Sequence, residues 1–252
     1  MKLVEFFLTR NPCYTAGRKI TVRGLMLHSV GCPQPKASVF IQNWNRSDFK
    51  SACVHAFIDG NDGTVYQTLP WDHRGWHCAS GSKGSGNNTH IGVEMCEPGC
   101  IKYTGGANFT CSDTVTAKAV AQRTYRAAVE LFAMLCQQFS LDPLADGMIL
   151  SHREGHTRGI ASNHGDPEHL WTQLGLPYTM DGFRADVKAA LTVPVKKLDN
   201  APADWSREAV AWATGNDLLL GDAAGDLMLR SPLTREQFCV MLKRYHDHFN
   251  TR

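Results

Sequence analysis

"HAFIDGNDGTVYQTLP", residues 55–70, decides the architecture. Two short apolar runs, HAFID (55–59) and TVYQTLP (64–70), flank GNDG, whose residue types suit the positive backbone angles of a tight hairpin turn. These runs are therefore expected to pair antiparallel. Around them stand GLMLHSV (24–30), HIGVEMC (90–96) and MILSH (148–152), each short, apolar and bounded by turn residues. Helical stretches alternate with these strands. KASVFIQNWNR (36–46) follows the proline-rich CPQP, a long helix is expected from Asp113 to Phe139, and GFRADVKAALT (182–192) gives another. In the long helix Val120, Ala121, Thr124, Ala128, Leu131, Phe132 and Leu135 recur at three- and four-residue spacing, one buried stripe. The expected fold class is α/β, a central mixed β-sheet flanked by helices. YTGGANFTCSD (103–113) reads as a glycine-rich loop.

VPVKKLDNAPAD (193–204) has prolines, charges and no periodicity, and reads as a linker between a main domain, 1–192, and a small C-terminal helical unit, 205–252. That unit reads as helix, Gly-Asp turn, helix, with Thr234 and Gln237 spaced as a capping box at the start of the last helix. Trp205, EAVAWA (208–213), LLLGD (218–222) and LTREQF (233–238) resemble a single S-layer homology motif. The resemblance implies attachment to cell-wall polymers. One copy gives monovalent binding without avidity, and self-association into a homo-oligomer accounts for the unit as well.

A chain of 252 residues with 43% hydrophobic composition can bury one sizeable core and carry an appendage. Lys and Arg number 26 against 24 Asp and Glu, so no basic field points to nucleic acid. The N-terminal apolar run VEFFL is interrupted by Glu5 and closed by Thr9 and Arg10, too short and polar for a signal-peptide core or a transmembrane segment. Synthesis in the cytoplasm without a signal peptide is the expectation. Nine cysteines, an odd number without a C-x-x-C pair, read as buried free thiols.

Chemistry concentrates in ILSHREGHTRGIASNHGDPEHLW (149–171). His152 and His156 are four apart, but Glu154 stands at the wrong position for either helical zinc-protease motif and Gly155 weakens a helix. A site from distant segments fits better. His28 closes the apolar run LMLHSV, His152 closes MILSH, and Asp166 follows fourteen residues later after a run able to fold back. Two imidazoles and a carboxylate leave a fourth position open on zinc, as hydrolytic activation of water requires.

MLHSVGCPQP, VHAFIDGNDGTVYQTLPWDHRGWHC, NNTHIGVEMCE and LSHREGHTRGIASNHGDPEHLW together resemble the zinc-dependent N-acetylmuramoyl-L-alanine amidases of the type-2 family, across roughly residues 20–175. Phage endolysins, bacterial autolysins and peptidoglycan recognition proteins belong to that family. The resemblance implies a mixed sheet flanked by helices, Zn2+ held by His28, His152 and Asp166, and Glu94 as the acidic residue beside the metal. Many relatives carry cysteine where Asp166 stands; aspartate still supplies a hard anionic ligand. His55 falls where relatives have a tyrosine or histidine near the substrate carbonyl. His164 falls where many have lysine, so its support of an oxyanion depends on its protonation. Trp76 and His77 match a pair lining the substrate groove, although packing explains Trp76 equally well. His156, His169, Glu154 and Glu168 remain over and are expected in a solvated loop. The implied function is hydrolysis of the amide between N-acetylmuramic acid and L-alanine in bacterial peptidoglycan, at the cell wall, by an endolysin that lyses cells. A bacterial autolysin, a cytoplasmic amidase recycling anhydro-muropeptides and a peptidoglycan-binding module without catalysis are the alternatives.

Overall fold

The computed structural model describes residues 1–192, 199–222 and 225–250, which fall into two compact units, Met1–Val193 and Pro194–Arg252. In the first, strands β1 (Leu3–Glu5), β2 (Gly24–Ser29), β3 (Ala56–Ile58), β4 (Val65–Gln67), β5 (His90–Met95) and β8 (Ile149–Ser151) form one sheet in the order β1-β4-β3-β5-β2-β8. β3 and β4, joined through GNDG, are antiparallel; the other neighbours run parallel. The sheet is therefore mixed, for the reason the hairpin turn supplies.

Strand alternation assigns the two faces. Leu25, Leu27, Ala56, Ile58, Ile91, Val93 and Met95 turn toward the helix α3 (Thr114–Phe139) and form the main core with its buried stripe. Asp113 caps α3 by accepting from the Thr116 N–H at 3.0 Å, and Ser140 ends it in the left-handed conformation. Helix α6 (Met180–Thr192) lies beside α3, with Phe132 and Phe183 edge to face at 5.1 Å. On the opposite face α2 (Ala37–Trp44) covers β3 through Ala37, Ile41 and Phe57. That face also carries His28, Glu94 and Phe57 in one row, and Met26 and Gly92 in the next.

Several expectations are corrected. Residues 103–113 are no plain loop: β6 (Ile101–Gly105) and β7 (Asn108–Cys111) make a hairpin, turning through Gly106 at φ 53°. Paired backbone and the anchor from Gln173, which accepts from the Phe109 N–H at 3.0 Å, order a stretch with weak hydrophobic patterning. The N-terminal apolar run only begins in a strand, since the edge strand β1 ends at Glu5 and Phe6, Phe7 and Leu8 continue beyond it. Strand β8 stops at Ser151, because a capping box between Ser151 and Glu154 starts helix α4 (His152–Thr157) there.

The second unit contains α7 (Arg207–Gly215) and α8 (Arg235–Asn250). Thr234 and Gln237 exchange hydrogen bonds of 2.9 and 3.1 Å and open α8. Of the stretch read as a linker, 193–198 lie outside the described residues. Asp199 and Asn200 belong to the second unit, Asn200 donating to the Gly225 carbonyl at 2.8 Å and Asp199 N–H to Asp226 at 2.9 Å. Leu218 is the one buried apolar side chain among the unit's described residues, while Trp212, Phe238, Leu242 and Tyr245 are exposed, as a two-helix unit of this size dictates. Among the described residues no helix is long and apolar enough to cross a membrane.

Candidate metal centre

The end of β2 and the start of α4 bring His28 and His152 together, and the chain returns after α4 to deliver Asp166. The His28 and His152 Nδ1 atoms are 3.0 Å apart; Asp166 Oδ2 lies 3.3 Å from His28 Nδ1, and Oδ1 lies 3.6 Å from His152 Nδ1. All three residues are buried, at 1%, 5% and 8% exposure. Their ligand atoms lie within 4.8 Å of one another.

The surrounding hydrogen bonds fix the tautomers. His77 Nε2 lies 3.1 Å from the His90 carbonyl, an acceptor, so Nε2 carries the proton and Nδ1 is left as an acceptor. His28 Nε2, 3.0 Å from that Nδ1, must then be the donor, which leaves His28 Nδ1 a lone pair aimed at His152 and Asp166. On the other side His152 Nε2 faces Ser162 Oγ at 3.2 Å and His164 Nδ1 at 3.1 Å, either of which accepts its proton. Two imidazole lone pairs and a carboxylate thus converge with no proton between them, a donor set suited to a cation. Burial, and next His28, bring His152 down to about 3, and the Asp166 carboxyl lies below its usual value although burial acts to raise it. His152 and Asp166 are therefore both deprotonated at neutral pH.

Glu94 stands directly across from His28 in the β2–β5 register. Its Oε2 is buried without a hydrogen-bond partner. Burial raises its carboxyl well above the usual range, and Asp166 and Glu97 add to the shift. A cation at the neighbouring triad would act in the opposite sense.

The other expected site residues are distributed unequally. His164 is exposed and its ring packs on His152 with centroids 4.4 Å apart. Trp76 is 46% exposed, with the Arg74 guanidinium 5.3 Å from its ring centre. His77 turns inward instead of lining a groove: its ring covers Gly92, both nitrogens are engaged, and burial drives its pKa well below the usual value. His55 is not brought to the cluster. It is fully buried, its Nδ1 accepts the Gly92 N–H at 3.0 Å and its Nε2 donates to the His73 carbonyl at 2.8 Å, so neither nitrogen is free to meet a substrate oxygen. Burial holds it down to about 4.

Gly92 is required by this packing, since a Cβ there would lie 2.3 Å from His77 Cγ, well inside van der Waals contact. Gly92→Ala is expected to destabilise the fold by about 1–3 kcal/mol through overpacking. Urea denaturation checks it, and an unchanged midpoint contradicts the packing described.

Of the four residues expected in a solvated loop, only His156 is exposed, and it lies on α4. Glu154 caps α4 and meets Arg184 at 2.9 Å, and Glu168 accepts from Ser151 Oγ at 2.7 Å from helix α5 (Glu168–Gln173). His169, also on α5, is 2.7 Å from the Tyr103 hydroxyl, which donates to Glu97 at 2.7 Å; Glu97 also accepts the Gly31 N–H at 3.1 Å. This buried network ties the β6–β7 hairpin to the loop that follows His28. It was missed because its members lie on three unconnected segments; the one signal available was a second glutamate three residues after Glu94.

Burial raises the Glu97 carboxyl to about 7, against the hydrogen bonds it accepts. Unfolded, the group titrates near ~4.3. Between these values the native state holds more protons than the unfolded one, so stability falls as pH rises through the window. Glu97→Gln removes this loss, and the variant is expected to gain up to about 3 kcal/mol on the parent between pH ~4.5 and ~7.5. Depressed imidazoles are shared by both proteins and cancel. Parallel stability profiles in metal-free protein would contradict the assignment.

Residues 17–169 match the family model described as N-acetylmuramoyl-L-alanine amidase. Over 78 residues the chain is 36% identical to the N-acetylmuramoyl-L-alanine amidase CwlH of Bacillus subtilis, covering 31% of this chain and 29% of CwlH. The chain thus spans less than a third of that relative's length. Among solved structures, the Staphylococcus aureus hydrolase AmiA in complex with its ligand superposes with a TM-score of 0.53 at 20% identity, over 76% of this chain and 83% of AmiA. A mutant endolysin from Bacillus subtilis gives 0.50 at 17% identity, over 74% of this chain and 99% of that one. These two share the fold. The family model covers more than half of the sequence and includes His28, Glu94, His152 and Asp166, and the chain belongs to the N-acetylmuramoyl-L-alanine amidase family.

Proposed function

We propose that this protein hydrolyses the amide joining N-acetylmuramic acid to L-alanine in bacterial peptidoglycan, with zinc held by His28, His152 and Asp166. The observation that carries the reading is the convergence of two imidazole lone pairs and a buried carboxylate beside a glutamate oxygen with no partner. Zinc bound there would lower the pKa of a water molecule and polarise the scissile carbonyl. Glu94 takes the proton as the water oxygen bonds to the carbonyl carbon, then returns it to the L-alanine nitrogen as the C–N bond breaks. His77 is a positioning residue that fixes the His28 tautomer. His164, exposed beside His152, is the remaining side chain able to support the oxyanion, since both His55 nitrogens are engaged. Trp76 offers an exposed aromatic surface to substrate.

Action at the cell wall follows from this substrate, and the lytic role of an endolysin is the favoured setting, by analogy with the endolysin of the same fold. The second unit, resembling one S-layer homology motif, would add wall binding or self-association, both served by its exposed aromatic side chains. Digestion of intact peptidoglycan tests the reading. New L-alanine amino groups without new reducing sugar ends are expected. Pelleting with the wall without release of amino groups would make the protein a binding module, and cleavage confined to soluble anhydro-muropeptides would make it a recycling enzyme.

A further inference from the structure

A cavity of about 190 Å³ lies between α1 (Pro12–Ala16), the chain at 49–52 and the Arg74–Trp76 segment. Its polar rim is cationic: Arg18, Lys50 and Arg74 line it and no acid does. Its walls are apolar, with Phe49 and Trp76 the largest. Neighbouring carboxylates are already committed, Asp48 to Arg46 at 2.6 Å and Asp72 to Lys19 at 2.8 Å. Among the described residues Arg18, Lys50 and Arg74 make no ion pair, and Arg74 spends one N–H on Asn88 at 2.7 Å. Cys13 lines the same cavity; its thiol is lowered by a hydrogen bond with Cys53, and the Arg74 charge lowers it further, as a local positive potential would.

Position gives the cavity its meaning. Cys53 and Trp76 are bridged backbone to backbone at 2.9 and 2.7 Å, and the next residue, His77, is the one that touches His28. A basic recess with apolar walls therefore sits one residue along the chain from His77, which is itself one hydrogen bond away from the candidate ligand His28. If the reaction is the amide hydrolysis proposed above, on which this inference rests, the sugar beside the scissile bond is uncharged and the stem peptide carries the carboxylates.

We propose that Arg18, Lys50 and Arg74 form a carboxylate subsite for the stem peptide, with its methyl and methylene groups against Phe49 and Trp76. The enzyme would then favour stems with free carboxylates over amidated ones.

The cavity supplies its own reporter in Cys13. The full-length protein, stripped of metal with a chelator, is alkylated in the presence of L-Ala-D-Glu-L-Lys, of the same peptide with its carboxylates amidated, or of inorganic phosphate. Modification of Cys13 is followed by peptide mapping, with Cys239 of the second unit as internal control. The acidic peptide should slow Cys13 modification about tenfold, the amidated peptide should not, and Arg18→Ala/Lys50→Ala should abolish the protection. Equal protection by the amidated peptide, none by either, or protection that survives the double substitution overturns the proposal. Protection by phosphate alone overturns it in favour of a phosphate-bearing polymer. Because no turnover is needed, failure of the subsite and failure of the amidase reading are separable. If the amidase reading holds, the double variant should raise KM about tenfold on acidic-stem peptidoglycan and change it little on amidated peptidoglycan.

Discussion

Replacing Glu94 by glutamine is expected to lower turnover about 10²–10⁴-fold while zinc content stays at the parent level. Glutamine keeps the size of the side chain and its place opposite His28 in the sheet, but it cannot take a proton from water. The position makes the two effects separable. Glu94 lies beside the triad without belonging to it, and its Oε2 has no structural hydrogen bond to lose. Stability should hold or rise, because a buried carboxylate is costly and the amide is neutral. Glu94→Ala should give the same loss of turnover. A variant with near-parental activity would remove Glu94 from the mechanism, and one that lost its zinc would make it a ligand.

Asp166→Ala is expected to abolish activity by a different route, through the metal. The substitution leaves two neutral imidazoles and no anionic ligand. Zinc affinity should fall by more than the roughly 10–100-fold that loss of an outer-shell partner costs. His77→Ala provides that comparison. Its ring makes no contact with Asp166 in the hydrogen-bond network, and it acts by holding the proton on His28 Nε2, so a loss of about 10–100-fold in zinc affinity is expected. Zinc titration with a competing chelator, on parent and both variants, reads the order directly. Asp166→Ala with parental affinity would mean that the metal, if bound, is held elsewhere.

Much of the sheet was legible in advance, because strands buried on both faces read as apolar runs and GNDG announces its own hairpin. The long helix was legible from its stripe, every member of which is buried. The metal-binding candidates were legible for a related reason: a histidine at the end of an apolar strand meets the boundary between core and loop. Their orientation was not. Nothing local in RGWHC tells that His77 turns into the sheet while Trp76 turns to solvent, since that depends on an isolated bridge to Cys53 and on Gly92 lying opposite. His55 misled in the same way, because its family position suggested a substrate contact and its backbone partners at Gly92 and His73 are tertiary. Tyr103, Glu97 and His169 were illegible because they meet only once the β6–β7 hairpin and α5 are in place.

The most direct test of the central claim is zinc titration of the chelator-stripped protein on intact peptidoglycan, counting L-alanine amino groups released per minute. Activity is expected to return in proportion to zinc, to level off at about one equivalent per chain, and to stay at background in His152→Ala. Full activity in the stripped protein, or zinc-dependent activity that survives His152→Ala, would contradict a catalytic centre built on His28, His152 and Asp166.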